Sequence, residues 1–335
     1  MTMSSVQPNP TRHQPPRRWR DFAVPGALLG FALIGLIGLA AATGWRETQI
    51  QLSRLGYGQF LGLLGLSLVN YLMRGVRWHL FTRRLKLATG LMQDLRHFLG
   101  GFALSVTPGR LGELVRMRWL KRETGHAVER TAPLALIDRA SDLAAMALIL
   151  GIAVAFSTTA IAGALPVSLA ALLVSVLVTR PALLTALITL VYRGIGRWPR
   201  FFARAREGAR ALGQFSDIRL VLPTLLLGAV GWLAEGYAFY LLLSWLGAEV
   251  ALAQAVAIFI FSTLAGGLTG APGGVGGAEA TMIALLGLQG VPMEISLPAT
   301  AVIRITTLWF AIAIGLLLFP IAERQSLRVK NALEN

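Results

Sequence analysis

The sequence predicts an all-α fold, a polytopic membrane helix bundle with about eight membrane segments, from three observations. Of its 335 residues, 55% are hydrophobic and only 14% are charged, whereas soluble domains carry about a quarter charged residues. The apolar residues come in long blocks, and about 20 such residues cross the hydrocarbon core of a bilayer. Two glycine-rich breaks interrupt the pattern, and charged residues follow each of them. We therefore expect six full spans and two re-entrant broken hairpins.

The composition also excludes several classes of function. The formal net charge is +15, which in a soluble protein would suggest nucleic acid binding. The hydropathy argues against nucleic acid, and the excess of Arg instead predicts cytoplasmic loops that meet anionic lipid headgroups. The chain has no Cys, and its four His show no ligand spacing. We expect no disulfide, no metal site and no cofactor.

The first segment follows a proline-rich start. Residues 1–20 contain four Pro and no apolar period, which predicts a disordered basic cytoplasmic tail. Residues 24–43 are uncharged and form the predicted first span of a membrane domain covering residues 21–322. A signal peptide ending near Ala42 is the alternative, but the block is too long for one and further spans follow.

The next three segments are placed by their basic flanks. Residues 57–80 and 132–157 are predicted spans. Between them, residues 97–107 are apolar but too short to cross, and Pro108–Glu113 breaks the pattern. Both flanks of this first break are basic, so we predict a re-entrant hairpin that opens to the cytoplasm. Such irregular backbone persists at membrane depth only where protein or a water-filled cavity surrounds it.

A fourth span begins near Leu165, where Arg180-Pro181 is predicted to kink or end the helix. The sequence leaves open whether residues 164–192 form one span or two. Residues 193–219 contain seven Arg, which predicts a basic cytoplasmic linker lying as an amphipathic segment on an anionic leaflet.

The last part of the chain holds the second break. Predicted spans cover residues 220–246 and 295–319, and Gly266–Glu279 between them has seven Gly in fourteen residues. Its flanks are neutral, which predicts an opening to the outside. Residues 323–335 are predicted to be a cytoplasmic tail.

The two breaks indicate an internal repeat. Residues 108–112 (PGRLG) resemble residues 272–276 (PGGVG), and a Glu and then a membrane Arg follow each Pro at similar spacing. The first repeat is about 57–157 and the second about 220–319, related by inversion across the membrane. Paired interrupted segments of this kind point to a transporter's binding site. Chance similarity between two Gly-rich helix breaks is the alternative.

Charged residues within the membrane segments are the candidate site. An unpaired charge at the bilayer centre costs at least about 2.5 kcal/mol, so these groups must pair or line water. With three glycines of the second break, the predicted substrate-binding residues are Arg74, Arg77, Arg110, Glu113, Arg116, Asp138, Arg139, Asp142, Glu235, Gly273, Gly274, Gly276, Glu279 and Arg304.

A purely structural interpretation stays open for part of this set. Arg74, Arg77 and Arg116 could extend their charged ends to the interface. Arg139 can pair locally with Asp142 three residues on. Asp138 and Asp142 share one helix face.

The residues at the breaks favour a functional interpretation. Half-helix N-termini direct free N–H groups at a break, and glycine lets a ligand approach the backbone. With a guanidinium fork from Arg110 or Arg304, this arrangement predicts a phosphate site. The carboxylates of Glu113 and Glu279 could pair with Arg, receive a cationic headgroup or carry a proton.

These motifs resemble a known family, the membrane domain of lysylphosphatidylglycerol synthases, also described as flippase-like or UPF0104 proteins. The resemblance covers most of residues 55–320 and rests on five ordered motifs and the Arg304 of the last span. The motifs are RGVRW (74–78), PGRLGELVR (108–116), LIDRASD (136–142), WLAE (232–235) and PGGVGGAE (272–279).

The resemblance implies a bacterial or archaeal membrane protein that moves lipids between leaflets. Its best understood members move aminoacylated phosphatidylglycerol, and others belong to hopanoid, glycolipid or polyprenyl-linked pathways. The full synthases carry an aminoacyl-transferase domain after the membrane domain, whereas about 15 residues follow the last span here. We therefore expect no lipid aminoacylation and no enzyme activity.

The predicted function is a lipid translocase that moves an anionic phospholipid or a polyprenyl or glycolipid headgroup across the bacterial inner membrane. The expected partners are lipids with anionic headgroups, and lipid-synthesis enzymes are further candidates. Both termini are predicted to be cytoplasmic, and the oligomeric state is open. A membrane glycosyltransferase using a polyprenyl-phosphate donor, and a non-transporting partner of a lipid-synthesis complex, are the alternatives.

Overall fold

The computed structural model describes residue 53 and residues 55–107, 111–156 and 163–334. The predicted tail 1–20, the predicted first span 24–43 and Arg110 lie outside these described residues. Within the described ranges every regular element is a helix and no strand occurs. The all-α prediction is therefore confirmed.

The first five helices contain the first break. A 3-10 turn, Gly101–Leu104, continues the second helix toward the break, and a third helix resumes at Leu111, within the predicted break. The helices are α1 Tyr57–Arg84, α2 Leu91–Gly100, α3 Leu111–Thr124, α4 Val128–Thr131 and α5 Pro133–Ala155.

The middle of the chain is bent at a proline. Helices α6 (Ala164–Thr179) and α7 (Pro181–Ile195) meet at 99°. Pro181 has no backbone N–H and disfavours a helical conformation at the residue before it, so α6 ends there. Residues 164–192 are thus two helices rather than one.

The basic linker forms a short amphipathic helix, α8 (Pro199–Ala211). It buries Phe202 and Ala209 and exposes Arg200, Arg204 and Arg210. The predicted amphipathic character is therefore present.

The last five helices contain the second break and one long continuous helix. A 3-10 turn, Pro272–Gly274, lies in the break, and a π-helical turn, Ile305–Trp309, joins the last two helices without a gap. The helices are α9 Ile218–Trp245, α10 Leu252–Leu268, α11 Gly277–Leu288, α12 Met293–Arg304 and α13 Phe310–Glu334.

Only some helices satisfy the length and hydropathy of a membrane span. In the described part of the chain, α9 and the continuous helix Met293–Ala332 do so, and the bent pair α6–α7 would count as a third. Helices α1 and α5, which we predicted as spans, carry the buried charges of the candidate site, and these lower their hydropathy. The eight-segment inverted repeat therefore stays a prediction.

The outer surface of several helices suits a lipid environment. Leu165, Leu169 and Leu173 on α6 are all more than half exposed, and so are Leu222 and Leu226 on α9. Regular rows of exposed leucine on a monomer mark a surface that meets another apolar phase.

Small residues let the helices approach closely. A Cβ on Gly231 of α9 would lie 3.2 Å from the Cα of Asn70 on α1. Within the first hairpin, a Cβ on Gly112 would lie 2.3 Å from the carbonyl oxygen of Gly101. Within the second, a Cβ on Gly266 would lie 2.7 Å from that of Ala278. Glycine at such contacts is typical of membrane helix packing. In each break it allows the two segments that flank the break to contact each other closely.

Candidate functional site

A cavity of about 770 Å³ lies where the two breaks meet. Ser105 and Gly112, at the first break, line this cavity together with Gly273 and Gly274 of the second break. The breaks also touch, because a Cβ on Gly273 would lie 3.0 Å from Cγ1 of Val106. The volume falls within the range of small-molecule sites. Two segments that are distant in sequence therefore form one cavity.

One side of the cavity is apolar. Helix α6 contributes Val167, Ala170, Ala171 and Val174 to the wall and no charged residue. Helix α10 adds Phe259 and further apolar residues. This apolar wall was not predicted, because α6 reads in sequence as a uniform lipid-facing span.

Asp142 is the centre of the polar side. Its carboxylate accepts hydrogen bonds from Nη2 of Arg74 and Nη2 of Arg77, both at 2.7 Å, and from Nε1 of Trp232 at 3.3 Å. Arg139 also pairs with Asp142 at 3.5 Å, as the local spacing predicted. Four side chains, from the three helices α1, α5 and α9, thus converge on one carboxylate.

The three arginines do not reach the interface. Arg74, Arg77 and Arg116 are 8%, 0% and 3% exposed, so the interpretation that they extend to the interface is wrong. The physical reason is that α5 supplies carboxylates inside the bundle, including Asp138, whose Oδ1 lies 2.6 Å from Nη2 of Arg77. A buried charge is retained where such a partner meets it.

Arg116 is held by aromatic rings. Its guanidinium carbon lies 4.2 Å from the ring centre of Phe98, 5.4 Å from Trp78 and 5.7 Å from Phe102. This is a cation–π arrangement. Its Nη1 is 3.8 Å from Asp138, too long for a hydrogen bond.

Each break has a Glu that pairs with the membrane Arg that follows it. Nε of Arg139 lies 2.7 Å from Oε1 of Glu113, and Nε of Arg304 lies 2.5 Å from Oε1 of Glu279. The spacing in the sequence singled out these four residues. It left open what the carboxylates do, and in both breaks they pair with Arg.

The second break is tied together by this pair. Nη2 of Arg304 donates to the carbonyl of Gly273 at 2.8 Å, and Glu279 accepts from the backbone N–H of Gly276 at 2.7 Å. Gly273, Gly274 and Gly276 have φ of 65°, 68° and 85°, a region that favours glycine. The three predicted glycines therefore shape the break.

Glu235 has a different environment. It lines the cavity from α9, is 4% exposed, and forms no ion pair within the described ranges. Glu235 is thus a buried carboxylate that faces the cavity and has no cation within 4 Å among the described residues.

The predicted residues divide into two groups. Arg77, Asp138, Gly276 and Glu279 support the wall from behind it, and the position of Arg110 is outside the described residues. The residues in the cavity wall are Arg74, Glu113, Arg116, Arg139, Asp142, Glu235, Gly273, Gly274 and Arg304.

Two polar features of the wall were missed. Tyr71 lies one turn before Arg74 on the same helix face and donates to the carbonyl of Thr307. Thr307 lies in the π-helical turn, which leaves backbone carbonyls available. The spacing of Tyr71 from Arg74 could have suggested the first residue, but the sequence has no signal for the π turn. In the described part of the chain, no three His, Asp or Glu side chains are grouped to hold a metal ion.

Comparison with known proteins agrees with the motifs. The profile of the lysylphosphatidylglycerol synthase TM region matches residues 26–315. A UPF0104 membrane protein of Methanothermobacter thermautotrophicus is 27% identical over 328 residues, which cover 88% of this chain and 95% of that protein. A second UPF0104 membrane protein of that organism is 29% identical over 106 residues, 32% of this chain and 31% of that protein. The chain therefore belongs to the family of the lysylphosphatidylglycerol synthase transmembrane region.

Proposed function

We propose that this protein is a lipid translocase that takes an anionic headgroup into the cavity and moves it between leaflets. The family is one of membrane proteins in lipid metabolism or transport. The observation that carries the proposal is a single cavity formed by both breaks, with charged residues from one set of helices and the apolar wall of α6.

The dimensions and chemistry of the cavity favour a headgroup as cargo. About 770 Å³ accommodates a headgroup and glycerol but not two full acyl chains. Among the described residues, four guanidinium groups line it, from Arg74, Arg116, Arg139 and Arg304, and guanidinium groups match the geometry of phosphate oxygens. The acyl chains would stay beside α6, in contact with apolar side chains.

A translocation assay tests the proposal. Vesicles containing the purified protein and a fluorescent phosphatidylglycerol are treated with a membrane-impermeant quencher. With the active protein nearly all of the fluorescence is lost, whereas protein-free vesicles keep the inner-leaflet half. Retention of that half with the wild-type protein contradicts the proposal.

A cavity-filling variant provides the matched control. Ala170→Trp adds a large ring to the cavity wall and is expected to stop translocation. Leu173→Trp adds the same ring to the same helix, where Leu173 is 61% exposed and outside the wall, and is expected to leave translocation unchanged. A covalently modified lipid product would indicate an enzyme, and co-purification with a lipid synthase without any transport would indicate a partner protein.

The inverted arrangement of the two breaks is part of this proposal. If the halves are inverted, the first break opens to the cytoplasm and the second to the outside. Since the chain has no Cys, single cysteines at Ser105 and Leu268, both in the cavity wall, report this directly. A membrane-impermeant maleimide is expected to label Leu268→Cys in intact cells and Ser105→Cys only in inverted vesicles.

A further inference from the structure

Among the described residues of the cavity wall, Arg116 is the only Arg with no carboxylate within hydrogen-bond distance. It is 3% exposed and lines the cavity. Its Nε and Nη1 are enclosed by protein without a hydrogen bond to any described residue, so a ligand can meet Arg116 only on the side that lines the cavity. A buried guanidinium is normally paired with an acceptor, and an oxyanion in the cavity would supply one.

The other cations of the wall are committed to carboxylates. Arg74 donates to Asp142 at 2.7 Å, and Arg304 is 2.5 Å from Glu279. Arg139 pairs with Glu113 at 2.7 Å. An incoming oxyanion would have to displace a carboxylate at each of these, whereas at Arg116 the nearest carboxylate, Asp138, is 3.8 Å away.

The surroundings of Arg116 hold the side chain ready for an anion. Phe98 covers a face of the guanidinium at 4.2 Å, so an anion would approach the edge of the guanidinium that lines the cavity. Gly101 leaves the space that the side chain occupies, because a Cβ there would lie 2.3 Å from Nε of Arg116. Arg139 reaches the same carboxylate, Asp138, at 3.9 Å and brings a second positive charge near the site.

We infer that Arg116 is the centre of the subsite for the phosphodiester of the headgroup, which rests on the proposed function of the cavity. A phosphodiester carries one negative charge. Arg74, Arg139 and Arg304 are each paired with a carboxylate, so Arg116 offers a single uncompensated positive charge. That charge matches a diester better than a more highly charged phosphate monoester. The subsite therefore lies beside the first break, not at Arg304.

Binding to the purified full chain in an uncharged detergent tests this inference. The ligands are dihexanoyl phosphatidylglycerol, dihexanoyl phosphatidic acid, dihexanoyl glycerol and inorganic phosphate, and the Kd is measured by calorimetry. We expect phosphatidylglycerol to bind most tightly, phosphatidic acid more weakly, and dihexanoyl glycerol not to bind. If phosphatidic acid binds more tightly than phosphatidylglycerol, the preference for a diester is wrong.

Variants identify the residue that carries the binding. Arg116→Met is expected to raise the Kd for phosphatidylglycerol at least about tenfold, the loss of one charge-assisted hydrogen bond. Gly101→Ala keeps the charge but displaces the guanidinium, and should also weaken binding. Arg118→Met, two residues along α3 at an exposed residue paired with Glu323, is the matched control and should bind like the wild type.

The outcomes separate the subsite from the function. Wild-type affinity in Arg116→Met, or an equal loss in Arg118→Met, overturns the subsite. If inorganic phosphate binds as tightly as phosphatidylglycerol, the anion is free phosphate and the lipid assignment is overturned. If binding depends on Arg116 but the wild type moves no lipid in vesicles, the subsite stands and the translocase proposal fails.

Discussion

The two breaks have similar sequences but different bonding. In the second break, Arg304 bonds both Glu279 and the carbonyl of Gly273, so the guanidinium ties the break together. In the first break, Arg139 is one-third exposed and Glu113 about a quarter exposed, and Arg116 beside them has no hydrogen bond within the described residues. Similar sequence elements thus produce two different arrangements. At the second break Arg304, Glu279 and Gly273 form a closed set of bonds, called the clamp below, whereas the first break has an accessible polar surface.

Both Glu residues are the third residue of a helix, Glu113 of α3 and Glu279 of α11, so the difference arises from what each carboxylate contacts. Glu279 caps its helix by accepting from the N–H of Gly276, so its own helix and Arg304 both hold it. Glu113 lies in the first turn of α3 and faces the cavity. A carboxylate engaged in a helix cap makes a structural pair, and one that faces a cavity leaves its partner accessible to a ligand.

The largest effect is expected from breaking the clamp. Arg304→Met leaves Glu279 buried without a cation, which costs about 3–5 kcal/mol and should lower the Tm strongly or prevent folding. Thermal unfolding of the purified protein measures it. Adding Glu279→Leu should recover more than half of the loss, since an apolar pair replaces a buried ion pair at little cost. No recovery in the double variant would contradict the clamp.

The next largest effect concerns the close contact within the first hairpin. Gly112→Ala places a methyl group 2.3 Å from the carbonyl oxygen of Gly101, and overpacking of this kind costs about 1–3 kcal/mol. Gly266→Ala should cost a similar amount in the second hairpin. Gly62→Ala is the control, since nothing lies within 4 Å and alanine favours the helix. An unchanged Tm for Gly112→Ala would show that the contact is not tight.

A small effect on stability is expected beside the first break, where the clamp is absent. Arg116→Met should change the free energy of unfolding by only about 1 kcal/mol, because it removes ring contacts but no hydrogen bond within the described residues. Asp138 keeps its pair with Arg77 at 2.6 Å. Measuring the Tm of this variant beside that of Arg304→Met tests whether the two breaks differ. An equally large fall in Tm in both variants would show that they do not.

The smallest effect is expected when the pH is lowered. It involves Glu123, near the end of α3 that lies away from the break. Burial opposes ionisation of Glu123, but its hydrogen bonds from His97 and Gln93 and the charge of Arg96 outweigh burial and lower its pKa. A lowered pKa adds stability above the unfolded-state value of about 4.3, and that stability is lost as the pH falls below it. The Tm difference between the wild type and Glu123→Gln should therefore shrink by a few degrees between pH 7 and pH 4. A constant difference would exclude this role.

Local pattern predicted much of the fold. The apolar blocks gave the long helices, Pro181 gave the bend between α6 and α7, and the repeated Glu and Arg gave the residues that pair at each break. The local pattern could not predict partners from distant helices. The pairing of Arg77 with Asp138 across 61 residues, for example, depends on how α1 packs on α5. For the same reason an interfacial position stayed open for three arginines that are buried, and the apolar wall of α6 was not foreseen.

The charges around the cavity also determine how a ligand arrives. Among the described residues, five guanidinium groups, counting Arg77, face five carboxylates, counting Asp138 and Glu279. Opposite charges so close together cancel at a distance, so the cavity exerts little long-range attraction on ions in the surrounding water. If the ligand is a lipid, as proposed, we expect it to enter by lateral diffusion within its leaflet. Its entry rate should accordingly depend on the concentration of the lipid in the bilayer and hardly on ionic strength.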